Sequence, residues 1–218
     1  MSPRARAAVL VSGNGSNLQA LLDASAAPDF PAEVVLVASN LPTAFALERA
    51  RQAGVETLVL EHRAFASRDE FETRLAAELE ARRVDLVCLA GFMRLLGPTF
   101  LRRFPRKVLN IHPALLPAFP GLHGPRQALA HGVKLAGCTV HLVDEGTDTG
   151  PIVAQAAVPV EDGDDETALA ARILVQEHKL YPLALRLFAE GRLQVDGRRV
   201  RARGAAVAEG LALRNPGV

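Results

Sequence analysis

Short aliphatic runs alternate with longer amphipathic stretches through the first 110 residues. The runs at 7–11, 34–38, 57–60, 84–90 and 107–111 have the length and content of strands, and the stretches near 17–24, 44–53 and 69–82 place apolar residues at helical spacing. Strands joined by amphipathic stretches predict crossover connections, and therefore an α/β fold with a mostly parallel sheet and helices on both faces.

Beyond Pro113 the texture changes. Pro117, Pro120, Gly121, Gly124 and Pro125 mark a long loop before a short helix at 126–131, and a loop of that length in a compact domain usually carries function. Two apolar runs, 137–143 and 152–158, flank the acidic segment Asp144-Glu145-Gly146-Thr147-Asp148-Thr149-Gly150 and read as a strand pair closing over it. Asp164, Asp165 and Glu166 suit the positive end of a helix dipole, so a long helix is expected from there through Phe188, kinked at Pro182. Asp196-Gly197 then predicts a two-residue turn in a small hairpin over 191–203.

At 218 residues and 49% hydrophobic content the chain suits one domain with a sizeable core. A net charge of +1 gives no bulk attraction to nucleic acid or anionic lipid, which favours small-molecule partners. Arg198, Arg199, Arg201 and Arg203 read as a solvated hairpin face and not a nucleic-acid site. No run reaches the roughly 18 apolar residues of a membrane span, and the start lacks a signal-peptide layout. A cytoplasmic protein is expected, with no membrane partner. Cys88 and Cys138 sit in apolar runs, where a reduced thiol acts as a small hydrophobe.

The first apolar run empties into Ser12-Gly13-Asn14-Gly15-Ser16-Asn17-Leu18. Two glycines allow a tight turn with backbone amides facing outward at a helix start, a geometry that binds phosphate and that also occurs as a plain capping turn. Leu18 stands where a dinucleotide loop has its third glycine, and Ser39-Asn40 where that fold carries an acid, so no NAD is expected. The Lys-Ser/Thr ending of a nucleoside-triphosphatase loop is absent. A phosphate monoester held by amides and by Ser16 and Asn17 remains.

The fifth run ends in Asn110-Ile111-His112-Pro113, and alternation along a strand puts Asn110 and His112 on one face. In a parallel sheet the crevice lies beyond the carboxyl ends of the strands, where the glycine loop and the 89–96 turn also fall. Asp148, between Gly146 and Gly150, lies in a loop able to bring a carboxylate to an imidazole for acid–base work. A metal is the rival use of His112, His123, His131, His141 and Asp148, but their spacing lacks the close pairs of zinc sites, so no metal is expected.

The strings Ser12 to Ala20, Leu89-Ala90-Gly91-Phe92-Met93-Arg94, Asn110-Ile111-His112-Pro113, Leu115-Leu116-Pro117, Gly121-Leu122-His123 and Asp148-Thr149-Gly150-Pro151 occur in one order. With them, over residues of about 7 to 190, the chain resembles the folate-dependent glycinamide ribonucleotide formyltransferases of purine synthesis. The resemblance implies a Rossmann-like formyltransferase fold, with a phosphate-binding half at 7–110, a folate and catalytic half at 111–190 and a tail at 191–218. It implies that Gly15, Ser16 and Asn17 hold the 5′-phosphate and Glu177 the ribose or glycinamide end. Folate would lie against Met93, Arg94, Leu95, Leu96, Asn110 and the loop Asp144, Glu145, Gly146, Thr147 and Asp148, with Arg68 near its benzoyl-glutamate end. Ala114 stands where the family often has serine, Leu174 where some members have a polar side chain, and Gly124-Pro125 is a less usual helix entry.

The implied reaction moves a formyl group from 10-formyltetrahydrofolate, a consumed co-substrate, to the amine of phosphoribosylglycinamide. Transfer is expected to be direct, through a tetrahedral intermediate, with Asn110, His112 and Asp148 catalytic. Formyltetrahydrofolate hydrolase is the alternative, but its extra N-terminal domain contrasts with the roughly six residues before the first strand here. Methionyl-tRNA formyltransferase needs a further C-terminal domain, where about thirty residues follow the long helix. A monomer or homodimer is expected.

Overall fold

Five parallel strands form the sheet of the N-terminal part in the order β3-β2-β1-β4-β5. They are β1 (Ala5–Val11), β2 (Ala32–Ser39), β3 (Glu56–Val59), β4 (Leu86–Leu89) and β5 (Val108–His112). The computed structural model describes residues 3–204, which fall into two compact units. One comprises the residues up to Asn110 with Leu142–Glu145, the other Ile111–His141 with the residues from Gly146 on.

In the first unit the crossover helices are α1 (Ser16–Ser25), α2 (Ala46–Gln52) and α3 (Arg68–Ala81). β1 explains the layering. Ala8 and Leu10 cluster with Leu36, Val87 and the α3 residues Phe71, Leu75 and Leu79. Ala7, Val9 and Val11 are as fully buried on the opposite face, so the strand has no solvent side. Ser67 starts α3 by accepting the Glu70 N–H at 3.1 Å.

Two short elements escape the periodicity of the sequence: a 3-10 turn at His62–Ala64 and α4 (Pro98–Leu101). α4 is one turn long, too short to show a hydrophobic repeat. It is held by a distant group, the buried Glu72 carboxylate, which accepts the N–H groups of Gly97 at 2.7 Å and Phe100 at 3.1 Å.

In the second unit, β6 (Leu135–Leu142) and β7 (Ile152–Pro159) pair antiparallel, as the two apolar runs predict. β7 runs parallel to β9 (Arg199–Ala202), which closes the expected hairpin with β8 (Leu193–Asp196). The helices are α5 (Gly124–Ala130) and the 24-residue α6 (Glu166–Ala189). Asp165 caps α6 by accepting the Ala168 N–H at 2.7 Å, and the helix continues unbroken past Pro182. Leu169, Ile173, Tyr181, Ala184 and Leu185 form its buried stripe. Cys88 and Cys138 are buried, and burial together with the Glu177 charge pushes the Cys138 thiol up to about 12. The last fourteen residues of the expected 191–218 tail lie outside the described residues.

Candidate active site

The residues expected from the sequence to be catalytic are delivered by two pieces of chain. β5 carries Asn110 and His112 two positions apart, hence on one strand face, with Asn110 partly exposed and His112 buried. Asp148 comes from the loop between β6 and β7. Its backbone is left-handed at φ 54°, a conformation that Asn and Asp adopt more readily than most side chains.

The structure brings His112 and Asp148 together, with His112 Nδ1 at 3.3 Å from Asp148 Oδ2. The other ring nitrogen, Nε2, lies 2.8 Å from the Phe119 carbonyl. Both nitrogens therefore face acceptors, and only a doubly protonated ring donates to both. Phe119, itself left-handed at φ 55°, belongs to the Pro-rich loop, which the Gly121 N–H also ties to Asp148 Oδ2 at 2.8 Å.

A third member was not assigned this role in the sequence. His141, 2% exposed on β6, places Nε2 at 3.5 Å from Asp148 Oδ1. The β6–β7 register slips between Val140 and His141, and a bulge of this kind re-aims a side chain beside a site. Its signal in the sequence is a histidine inside an apolar strand that leads straight into the acidic loop. Burial works to raise the Asp148 pKa, but the His141 hydrogen bond, the Gly121 N–H and the charges of His112 and His141 outweigh it and hold the carboxyl below its ordinary value.

Thr139, wholly buried two residues before His141, fixes the chain beyond His112. Its hydroxyl donates to the Ala114 carbonyl at 2.7 Å and accepts the Leu116 N–H at 3.0 Å, while Gln155 Nε2 donates to the Leu116 carbonyl at 2.9 Å. Gly124 explains the unusual helix entry: a Cβ there would lie 2.8 Å from the Pro113 carbonyl oxygen. Glu177 is buried on α6.

In the first unit the Ser12–Asn17 loop turns through Gly15 at φ 80° into α1. Gly15 has no space for a side chain, since a Cβ would meet the Ala46 Cβ at 2.6 Å. α2 braces this loop: the Ala46 N–H donates to the Gly13 carbonyl at 3.1 Å, and Arg49 donates to the Asn14 carbonyl and to Asn14 Oδ1, both at 2.9 Å.

Of the residues expected at folate, Met93 is 64% and Leu95 65% exposed, Arg94 is exposed between them, and Leu96 belongs to the core cluster. Arg68 Nε binds the buried Glu72 Oε1 at 2.7 Å, leaving about half of its side chain exposed. Asp144 is half-buried, and Glu145, Gly146 and Thr147 are exposed. Among the described residues, no group of three or more His, Cys, Asp or Glu side chains is arranged to hold a metal ion, and no helix is long and apolar enough to cross a membrane.

Residues 5–185 match the formyl transferase family, and the chain belongs to that family. It is 47% identical over 208 residues to the phosphoribosylglycinamide formyltransferase of Escherichia coli (strain K12), covering 92% of this chain and 98% of that protein. It is 53% identical over 190 residues to the trifunctional purine biosynthetic protein adenosine-3 of Drosophila melanogaster, covering 86% of this chain but only 14% of that much longer one. The crystal structure of glycinamide ribonucleotide transformylase 1 from Symbiobacterium toebii superposes with a TM-score of 0.91 at 55% identity, over 93% of this chain and 95% of its own.

Proposed function

We propose that the protein transfers the formyl group of 10-formyltetrahydrofolate to the amine of 5-phosphoribosylglycinamide, giving the N-formyl product and tetrahydrofolate in de novo purine biosynthesis. The observation that carries this reading is the part-buried Asp148 held between buried His112 and His141, in a chain of the formyl transferase family whose length-matched relative is named for this reaction.

The amine attacks the formyl carbon directly, and the carbonyl oxygen takes up negative charge in a tetrahedral intermediate. Asn110 and protonated His112 donate hydrogen bonds to that oxygen from one face of β5, each worth about 3–4 kcal/mol where such donors have been removed from other enzymes. His112 Nε2 reaches it by exchanging the Phe119 carbonyl for the substrate oxygen. Asp148 holds the ring and, through it or a water, helps carry the proton from the attacking amine to the departing folate nitrogen. Alignment of amine and formyl carbon contributes up to roughly 7–11 kcal/mol, so no acylated residue is required.

Gly15, Ser16 and Asn17 bind the 5′-phosphate at the amide-rich start of α1, and Glu177 the ribose or glycinamide end. To folate we assign Met93, Arg94, Leu95, Leu96, Asn110 and the residues Asp144, Glu145, Gly146, Thr147 and Asp148, of which exposed Met93 and Leu95 offer the flat pterin apolar surface. Arg68 takes the benzoyl-glutamate carboxylate. We place the enzyme in the cytoplasm, acting on small molecules as a monomer or homodimer.

Incubation with 10-formyltetrahydrofolate, with and without phosphoribosylglycinamide, tests the assignment. Formyl loss that depends on the nucleotide and appears as N-formyl product is expected. Equal loss without the nucleotide overturns the transferase in favour of the hydrolase.

A further inference from the structure

Ser12, the first residue after β1, is 8% exposed and makes three hydrogen bonds to the other strand ends of its unit. Its N–H donates to the Gly91 carbonyl at 3.0 Å. Its hydroxyl accepts the Met93 N–H at 2.9 Å and donates to Asn40 Oδ1 at 2.6 Å. Asn40 is 4% exposed just past β2, and its side-chain nitrogen faces His62 Nδ1 at 3.4 Å. A hydroxyl is the smallest group that can accept and donate at once, and alanine could do neither.

The positions of these partners matter more than their number. Ser12 opens the glycine loop, and Met93 opens the turn whose exposed face carries Met93, Arg94 and Leu95. One buried oxygen therefore pins the base of both loops to each other and to the Asn40 amide. A loop ordered by its ligand orders the other through this junction, and a second ligand binding to an already ordered partner binds more tightly with no change of fold.

We propose, resting on the formyl-transfer reading above, that Ser12 is a positioning residue that couples nucleotide binding to folate binding. It touches neither reacting atom. Asn40 sets the direction of its hydroxyl, so that the oxygen lone pair faces the Met93 amide.

The test is calorimetry on the full chain, titrating phosphoribosylglycinamide and tetrahydrofolate separately and each in the presence of the other. In the wild type each ligand is expected to tighten the other by a factor in the range of about 5 to 150, typical of coupled sites. In Ser12→Ala that factor is expected to fall to within about twofold of one, a change that a purely structural role would not make while the individual affinities remain measurable. Asn40→Ala removes the acceptor but leaves the oxygen for Met93, so an intermediate factor is expected, and it carries the test should Ser12→Ala not fold. A wild type that binds both ligands independently, or a coupling factor unchanged in both variants, overturns the proposal and leaves formyl transfer standing. A wild type that binds neither ligand overturns the formyl-transfer reading and this one with it.

Discussion

Asp148 Oδ1 lies 3.5 Å from His141 Nε2, so the carboxylate that faces His112 is itself held from its far side by a second buried imidazole. Orientation of the His112 ring, which we propose to be catalytic, is thus set two steps away, on a strand that carries no other residue of the proposed chemistry.

That arrangement ranks two variants. Asp148→Asn keeps the shape and removes the charge, and a turnover loss of about 10²–10⁴ is expected, the usual range for general acid–base groups, with the nucleotide KM changed less than twofold. His141→Phe keeps the bulk of the ring and removes one hydrogen bond to a charged group, worth about 1.5–3 kcal/mol, so a loss of roughly tenfold to a hundredfold in kcat is expected. Steady-state kinetics at saturating substrates reads both. A His141→Phe enzyme with wild-type kcat would show that Asp148 needs no such support.

The depressed Asp148 pKa makes a second expectation about acid stability. Because the folded carboxyl titrates below its unfolded value of about 3.9, its contribution is complete above that value and declines as the pH falls towards the folded one. Urea midpoints of the wild type and Asp148→Asn should therefore differ by a constant amount near pH 5, with the difference shrinking below about pH 4. A difference that stays flat down to pH 3 contradicts the lowered pKa.

The parallel strands were legible because burial on both faces writes continuous apolar runs into the sequence, and β1 is buried from Ala7 to Val11. The meeting of His112 and Asp148 was legible only from the set, because a histidine before proline and a turn aspartate are each ordinary alone and improbable together with Asn110. His141 was weighed only as a metal ligand, because its role depends on a register slip against β7 that no local pattern reveals. α4 and Ser12 escaped for a related reason. The carboxylate that caps α4 and the amide that Ser12 accepts are supplied from 25 and 81 residues away.

Gly15 offers a test of the loop geometry apart from any ligand. An alanine there would place its Cβ 2.6 Å from the Ala46 Cβ on a backbone at φ 80°. Overpacking costs about 1–3 kcal/mol, and the left-handed conformation about 1–2 kcal/mol more for a side chain. Gly15→Ala should lose stability by the sum, and Ala46→Gly in the same chain should recover only part of the packing loss, because the Ala46 Cα would still lie 2.9 Å from the added Cβ. A double-mutant cycle by denaturant melts measures the recovery. A Gly15→Ala protein as stable as the wild type would mean that the loop and α2 are not in contact.

Glu72 supplies the remaining test, because stability and the proposed folate contact of Arg68 meet at its ion pair. The carboxylate is 1% exposed and joins Arg68 to the N–H groups of Gly97 and Phe100, so it fixes the turn after β4 as well as α4. Removing the carboxylate leaves the buried Gly97 N–H without this acceptor and weakens the hold on Phe100, a loss of about 1–3 kcal/mol, while half-exposed Arg68 turns to solvent. Glu72→Ala should lose about that much in denaturant melts. Arg68→Ala leaves the carboxylate its two backbone partners, and the guanidinium is half-exposed, so a loss nearer 1 kcal/mol is expected, as for solvent-screened pairs. Its larger effect should be a raised KM for formylfolate with kcat nearly unchanged, the pattern of lost uniform binding. An Arg68→Ala enzyme that is destabilised but keeps its formylfolate KM would make this arginine a structural partner of Glu72 and remove it from the folate site.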